Sequence, residues 1–269
     1  LADAGVTTST YGLGRNFWED LMIAMARAGR GNSYYGQTAE DLMDVFREEL
    51  ALLNAVCARR LELSLKAGDG VRLEMLNDYV RMGERTWCLP DLAFAGEAWA
   101  LVRLYVSERK VDELRQGGPE ALVRAELRYI DLGGEPRAVE AVSRGLPVLS
   151  PAAFYAVAEN ALVKRRAEEL AAARIQRKAR TAARRGDWEA AERLLEEVDN
   201  LGADNRWLRG IVSELRDLAR QRDREGFAKE AAYSSSKLST RLAATRENED
   251  PEAAVAHFLR RKNAQGKGS

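Results

Sequence analysis

Few residues in this chain could move a proton or hold a metal. His257 is the only histidine and stands near the end of the sequence, so Ser-His-acid and Cys-His mechanisms lack a base within the fold. Cys57 and Cys88 are the only cysteines. They lack metal-ligand spacing and read as two reduced thiols rather than a disulfide, which points to a cytoplasmic setting. Gly12-Leu13-Gly14 opens like a dinucleotide fingerprint, but Phe17 stands where a further glycine is needed, and no P-loop is present. Glu48-Glu49 and Glu168-Glu169 are neighbours on predicted helices and point apart, so exposed charged faces are expected rather than a shared acid-base site. Thr7-Thr8-Ser9-Thr10 supplies hydroxyls but no leading aspartate. A non-enzymatic protein is expected.

Charge offers a second kind of chemistry. Lysine plus arginine equals aspartate plus glutamate at 42 each, so no global field favours nucleic acid or a membrane surface. Locally, Lys164 to Arg185 carries nine basic residues against Glu168 and Glu169. Arg174, Lys178, Thr181 and Arg185 fall along one helical face. Arg174, Arg177, Lys178 and Arg185 are therefore the candidate partner-binding residues, suited to nucleic acid or an acidic partner. The competing reading is a solvated face offset by Glu189, Glu192, Glu196, Glu197 and Asp199 on the adjoining helix, and it disfavours nucleic acid. No apolar run approaches the roughly 20 residues that span a bilayer.

The elements that must position these groups begin with a β-branched run, Val6 to Thr10, ending at Gly12 and Gly14. A helix signal follows, with Asn16 able to cap and Glu19 three residues on. Met22, Ile23, Met25 and Ala26 continue its apolar stripe until Gly29 and Gly31. A short strand holds Gly31 to Gly36, and Thr38 and Asp41 open a helix bearing Leu42, Val45, Phe46, Leu50 and Leu53 at helical spacing.

This stretch resembles the closing third of a von Willebrand factor type A (VWA) domain, in prokaryotic proteins where that domain precedes a β-rich segment and a helical tail. Val6 to Gly14, Glu19-Asp20-Leu21, Gly31-Asn32-Ser33-Tyr34-Tyr35 and Glu40-Asp41 carry the likeness. Arg15 and Asn16 depart from it, standing where such proteins often have acidic residues. The resemblance implies a divalent cation, magnesium, held by an upstream Asp-x-Ser-x-Ser segment, a threonine and a further aspartate. None of these is in this sequence, so no cofactor is expected in this chain. Leu1 then reads as a point inside an α/β unit, and Val6 to Thr10 as a buried parallel strand wanting neighbours on both sides. Those neighbours would come from an upstream VWA segment, another chain or a second copy.

Past Arg59-Arg60 the period becomes two. Leu61, Leu63 and Leu65 alternate, Gly68-Asp69-Gly70 turns, and Val71, Leu73 and Met75 alternate again. Thr86 to Leu89, Ala98 to Val106, Ala121 to Ile130 and Arg137 to Val142 add further strands, which suits an antiparallel sandwich. Trp87-Cys88-Leu89-Pro90-Asp91-Leu92 and Ala95-Gly96-Glu97 also resemble the β-rich segment of those proteins. Trp87, Trp99, Tyr105 and Tyr129 read as packing residues, with a ligand platform as the alternative.

Ser150-Pro151 starts a helix, with Phe154, Val157, Ala158, Ala161 and Leu162 as its stripe, that continues to Arg185. Gly186-Asp187 turns into a second helix with Trp188, Ala191, Leu194, Leu195 and Val198. Ala182 to Ala191 resembles the turn of a tetratricopeptide helix pair, seen once, so no array is expected. A third helix starts near Asp204. Tyr233 to Thr240 reads as a loosely held polar stretch whose Ser234, Ser235, Ser236, Ser239 and Thr240 could accept phosphate. Asp250-Pro251 starts a short last helix with His257, Phe258 and Leu259, and disorder is expected from Lys262.

The expected fold is α+β and multidomain: a partial Rossmann-like α/β unit over 1–58, an antiparallel β-sandwich over 59–149, a helical hairpin or bundle over 150–247, and a short helix and tail over 248–269. The expected role is a protein-protein interaction scaffold, with nucleic-acid or acidic-partner binding through 164–185 as the alternative.

Overall fold

The computed structural model describes residues 6–36, 38–94, 96–203, 205–240 and 243–244. The expected helix at Asp250 and the tail from Lys262 lie outside them. In chain order the elements are β1 (Thr8–Leu13), α1 (Glu19–Ala28), β2 (Arg30–Gly36), α2 (Ala39–Asn54), β3 (Val56–Ala67), β4 (Val71–Met75), β5 (Val80–Arg81), β6 (Thr86–Cys88), β7 (Leu92–Ala93), β8 (Gly96–Glu97), β9 (Val102–Val106) and α3 (Glu108–Gly117). They continue as β10 (Glu120–Ala121), β11 (Val123–Ile130), β12 (Pro136–Val142), β13 (Gly145–Leu146), α4 (Pro151–Ala156), α5 (Ala161–Arg184), α6 (Trp188–Leu201), α7 (Arg206–Arg220), α8 (Arg224–Thr240) and β14 (Ala243–Ala244). The architecture is α+β, as the patterning implied. Among the described residues no helix is long and apolar enough to cross a membrane.

Two compact units form. One draws on the described residues of Leu1–Val56, Ala93–Glu97 and Arg165–Ser269, and the other on Cys57–Leu92 and Ala98–Lys164. The first unit therefore joins the α/β opening to the helices beyond residue 165.

In the first unit β1 and β2 pair in parallel, Tyr11 opposite Tyr34 and Leu13 opposite Gly36. Alternation sends Ser9 and Tyr11 to one face and Thr10 and Gly12 to the other. Thr10 Oγ1 donates to the Met22 carbonyl of α1 at 2.9 Å, whereas Ser9 Oγ donates to Glu49 of α2. The helices thus cover opposite faces. Close approach demands glycine at position 31, where a Cβ would sit 2.2 Å from the Thr8 carbonyl oxygen. The first helix begins later than its capping signal suggested: Trp18 is the N-cap and makes no side-chain cap bond, because an indole has no acceptor for the first-turn amides.

Helices α5 to α8 enclose an apolar core with Ala179, Leu195, Val198, Leu208, Leu215 and Phe227 at its centre. Asp187 caps α6 by accepting from the Ala190 amide at 3.0 Å, and Gly186 takes the φ of +80° that the turn requires. The last helix corrects the expectation of a loose polar stretch. Ser234, Ser235 and Ser239 are buried and return their hydroxyls to neighbouring groups on α8 and α5. Small side chains let α8 lie inside the unit, which closes those serines to phosphate.

In the second unit the sheet order is β12-β11-β3-β6-β5, with β7 also on β3, and β4 pairs with β9 separately. The β11–β12, β11–β3, β3–β6, β5–β6 and β4–β9 ladders are all antiparallel. Leu63, Leu65, Val123 and Trp87 of the larger sheet meet Val71, Leu73, Val102 and Leu104 of the ribbon, with Leu114 of α3 buried in the same cluster. Thus β3 and β4 do not form a hairpin; the Gly68 turn hands the chain from one layer to the other. Cys57 lies in β3 rather than in a helix, and neither cysteine is in a disulfide. The helix expected to run from Pro151 to Arg185 is broken, because Val157 leaves helical geometry and Asn160 caps a new start through the Val163 amide at 3.1 Å.

Candidate interaction surface

Position 19 is where the first unit gathers its charge. Glu19 Oε1 accepts from Arg180 at 2.9 Å and from Arg184 at 2.6 Å, and Lys229 Nζ lies 3.9 Å from its other oxygen. Asp20 takes Arg180 at 2.7 Å and Arg184 at 3.0 Å. Burial alone would raise the Glu19 carboxyl, but the bonds from Arg180 and Arg184 outweigh it and hold it below the usual value. Hydrogen bonding from Arg180 likewise lowers Asp20. Two members of the basic run are therefore consumed inside the unit by the first helix, not by the acidic run on α6. Sequence spacing could not find these partners, because they are separated by 161 and 165 residues.

The face nominated from the sequence has a different environment. Arg174, Lys178 and Thr181 are exposed on α5 and Arg185 in the turn that follows it, and Arg177 is half-buried with its guanidinium 3.3 Å from Ser239 Oγ. Arg174, Lys178 and Arg185 thus share one surface, while Arg177 faces α8.

Helix α8 bridges the two halves of this unit with a single stripe. Lys229 sits 5.0 Å over the Phe17 ring, Tyr233 packs with Tyr34, and Lys237 lies over both of those tyrosines. Tyr34 and Tyr35 point to opposite faces of β2, and Phe17 packs on Tyr35 with tilted rings 5.7 Å apart. A helix touching side chains of both faces runs along the outer edge of β2 and shields it.

The outer edge of β1 has no such cover among the described residues. Thr8 N donates to Gly29 and Gly14 N to Gly36, so the alternate backbone groups at Ser9, Tyr11 and Leu13 face away from β2. Apolar side chains flank that edge. On α1, Trp18, Leu21 and Met25 are exposed, Trp18 by 68%. On α2, Met43, Phe46, Leu50 and Leu53 are exposed at helical spacing, and Phe46 also rests on Tyr11 at 5.2 Å. Phe46, Leu50 and Leu53 of the stripe read from the sequence are thus bare.

Beneath it lies a buried carboxylate that the sequence placed on an exposed face. Glu49 accepts from Ser9 Oγ, from Tyr34 OH and from Asn32 Nδ2 at 3.1 Å. Burial, then the Glu49 charge, push the Tyr11 phenol up to about 12, and the same influences raise Tyr34 further. Both phenols stay protonated, so Glu49 is a structural acceptor for Tyr34 and the strands. Glu169, the other carboxylate assigned to a charged face, is buried against Arg166 at 2.9 Å. Among the described residues no three His, Cys, Asp or Glu groups converge to hold a metal. The hydroxyls of Ser9 and Thr10 point to opposite faces and serve internal acceptors, so they do not fit a magnesium site. Trp87 and Tyr129 pack into an apolar cluster and Tyr105 lies under Arg72; no shared aromatic platform forms.

No protein-family model matches the sequence, and neither does any curated protein. Among solved structures, the von Willebrand factor type A protein from Catenulispora acidiphila superimposes with a TM-score of 0.60 over 90% of this chain, at 17% identity. The fold is von Willebrand factor type A-like. The human COPII-coat protein Sec24c superimposes with a TM-score of 0.56 over 90% of this chain, at 10% identity. The chain spans 60% of the length of the VWA protein and 33% of Sec24c.

Proposed function

We propose that this VWA-like chain is a non-catalytic interaction scaffold whose recognition face is the outer edge of β1 with the apolar flanks of α1 and α2. The observation that carries the reading is the exposed pair of stripes, Trp18-Leu21-Met25 and Met43-Phe46-Leu50-Leu53, on either side of an uncovered parallel strand. Parallel sheets normally have both faces covered, an unpaired strand edge is a template for another strand, and apolar patches of this kind mark interaction sites. The matching partner is an α/β segment that adds a parallel strand to β1 and lays apolar surface on both helices. It can belong to the same polypeptide or to another. The magnesium-binding motif of VWA domains would come with that segment, because the residues here do not supply it.

A photo-crosslinking side chain at position 21 or 50 is expected to capture an α/β segment carrying Asp-x-Ser-x-Ser, and one at Arg193 on α6 to capture none. With the crosslinking side chain moved to position 25, Leu21→Asp with Leu50→Asp should abolish capture and change stability by no more than about 0.5 kcal/mol per site, since both side chains are half exposed. Equal labelling at all three positions would count against the reading.

The second reading rests on the exposed surface formed by Arg174, Lys178 and Arg185. Phosphate contacts through it predict duplex DNA affinity that falls steeply with salt and drops in Lys178→Glu. Weak binding that is flat with salt removes that reading and leaves the first untouched.

A further inference from the structure

We infer that β12, in the second unit, is a self-pairing edge through which two copies of this chain join their sheets. The strand ends the β12-β11-β3-β6-β5 order, and every residue from Pro136 to Val142 is exposed. Its backbone polarity follows from the ends of the β11–β12 ladder. Asp131 N donates to Glu135 O at 3.0 Å and Ser143 N to Val123 O at 2.8 Å, so odd-numbered residues bond β11. The N–H and C=O groups of Ala138, Glu140 and Val142, with the carbonyl of Pro136, point outward. Pro136 has no N–H to leave unpaired, the placement proline takes on an edge.

The side chains select the occupant. Val139 lies opposite Leu127, Leu127 opposite Leu63, and Leu63 opposite Trp87. This apolar row crosses four strands and ends at Val139, which is 53% exposed. An antiparallel copy centred on Val139 sets Val139 against its own equivalent and continues the row into the second molecule. In that register Ala138 opposes Glu140 and Val142 opposes Pro136, giving about six interchain hydrogen bonds. Centring on Glu140 would put two carboxylates directly opposite each other, which is destabilising. Centring on Ala138 forms fewer bonds. The Arg137–Asp131 pair at 2.8 Å and the Glu135 amide bonded to the same carboxylate hold the hairpin in shape before pairing. This edge is separate from β1, so its failure and that of the proposed function are distinguishable.

Light scattering on the 269-residue chain across a concentration series tests the pairing. The expected mass rises from 29.9 kDa toward its double. Val139→Arg, which places like charges face to face, and Ala138→Pro, which removes an outward donor that β11 does not use, should each weaken association by about tenfold or more. Val139→Cys should give a disulfide-linked dimer on mild oxidation, because the centred register brings those Cβ atoms within bridging distance, while Arg137→Cys should not. A wild-type chain that stays at single-chain mass, or association and crosslinking indifferent to all four changes, overturns the proposal.

Discussion

Replacing Glu19 by alanine should destabilise the first unit by about 3–5 kcal/mol, because it removes the one acceptor shared by three cations. Arg180, 13% exposed, keeps only Asp20 at 2.7 Å, and Lys229, 5% exposed, loses its carboxylate and cannot recover hydration. Arg184→Ala should cost no more than about 1 kcal/mol, since that side chain is 42% exposed and water already screens it. The asymmetry separates a buried ionic junction from a surface salt bridge. Urea unfolding of the two variants and their double mutant supplies the test, and equal costs for Glu19 and Arg184 would refute the junction. Acid should act in the same way. The Glu19 and Asp20 carboxyls are held below their ordinary values of 4.5 and 3.8. Their stabilisation is therefore present above those values and lost as pH falls through the lower folded ones.

That junction explains where sequence reading succeeded and where it stopped. Strand β1, helix α1 and strand β2 were legible because β-branched residues, an apolar stripe and paired glycines are local signals. Asp187, Asn160 and Ser150 act within three residues, so capping chemistry can be read along the chain, although the break at Val157 was hidden by an apolar stripe that nothing covers. The role of Glu19 was hidden because its acceptor function depends on Arg180 and Arg184, brought near by the fold. Glu49 was misplaced for a similar reason: beside Glu48 it looks like one of a charged pair, yet Ser9, Asn32 and Tyr34 converge on it from two strands. Alternation at Leu61–Leu65 and Val71–Met75 identified strands correctly but could not name their partners, so a layer change resembled a hairpin.

Helix α8 shows the limit of periodicity most plainly. A helix touched on every side has no polar face, so its apolar residues need no 3.6-residue recurrence, and Ala, Ser and one glycine allow close packing. Phe227, Ala231 and Leu238 meet the other helices while Lys229, Tyr233 and Lys237 meet the α/β half. Reading hydrophobicity alone takes such a segment for a linker. The shared stripe of lysine and tyrosine was the available signal, and its meaning depended on knowing that Phe17 and Tyr34 lay opposite.

The same helix carries the second large effect: Glu230→Gln should stabilise the chain above neutral pH and do little near pH 5. Glu230 is 2% exposed, and burial pushes its carboxyl from 4.5 up to about 7 against the opposing pull of Lys237. With the folded value raised, the folded state binds the proton more tightly than the unfolded state. The stabilisation from that proton is complete below 4.5 and is lost as pH rises through 7. A change of this size corresponds to a loss on the order of 3 kcal/mol between those limits. Glutamine keeps the shape without the charge and removes this slope. Glu19 and Asp20 favour folding as acid is withdrawn, so the wild-type optimum should fall between their titration and that of Glu230, on the acidic side of neutrality. Unfolding free energies of wild type and variant at pH 5 and pH 8 decide the matter: a difference unchanged between the two would mean that Glu230 keeps one charge state throughout, held by its surroundings in α8 rather than governed by burial.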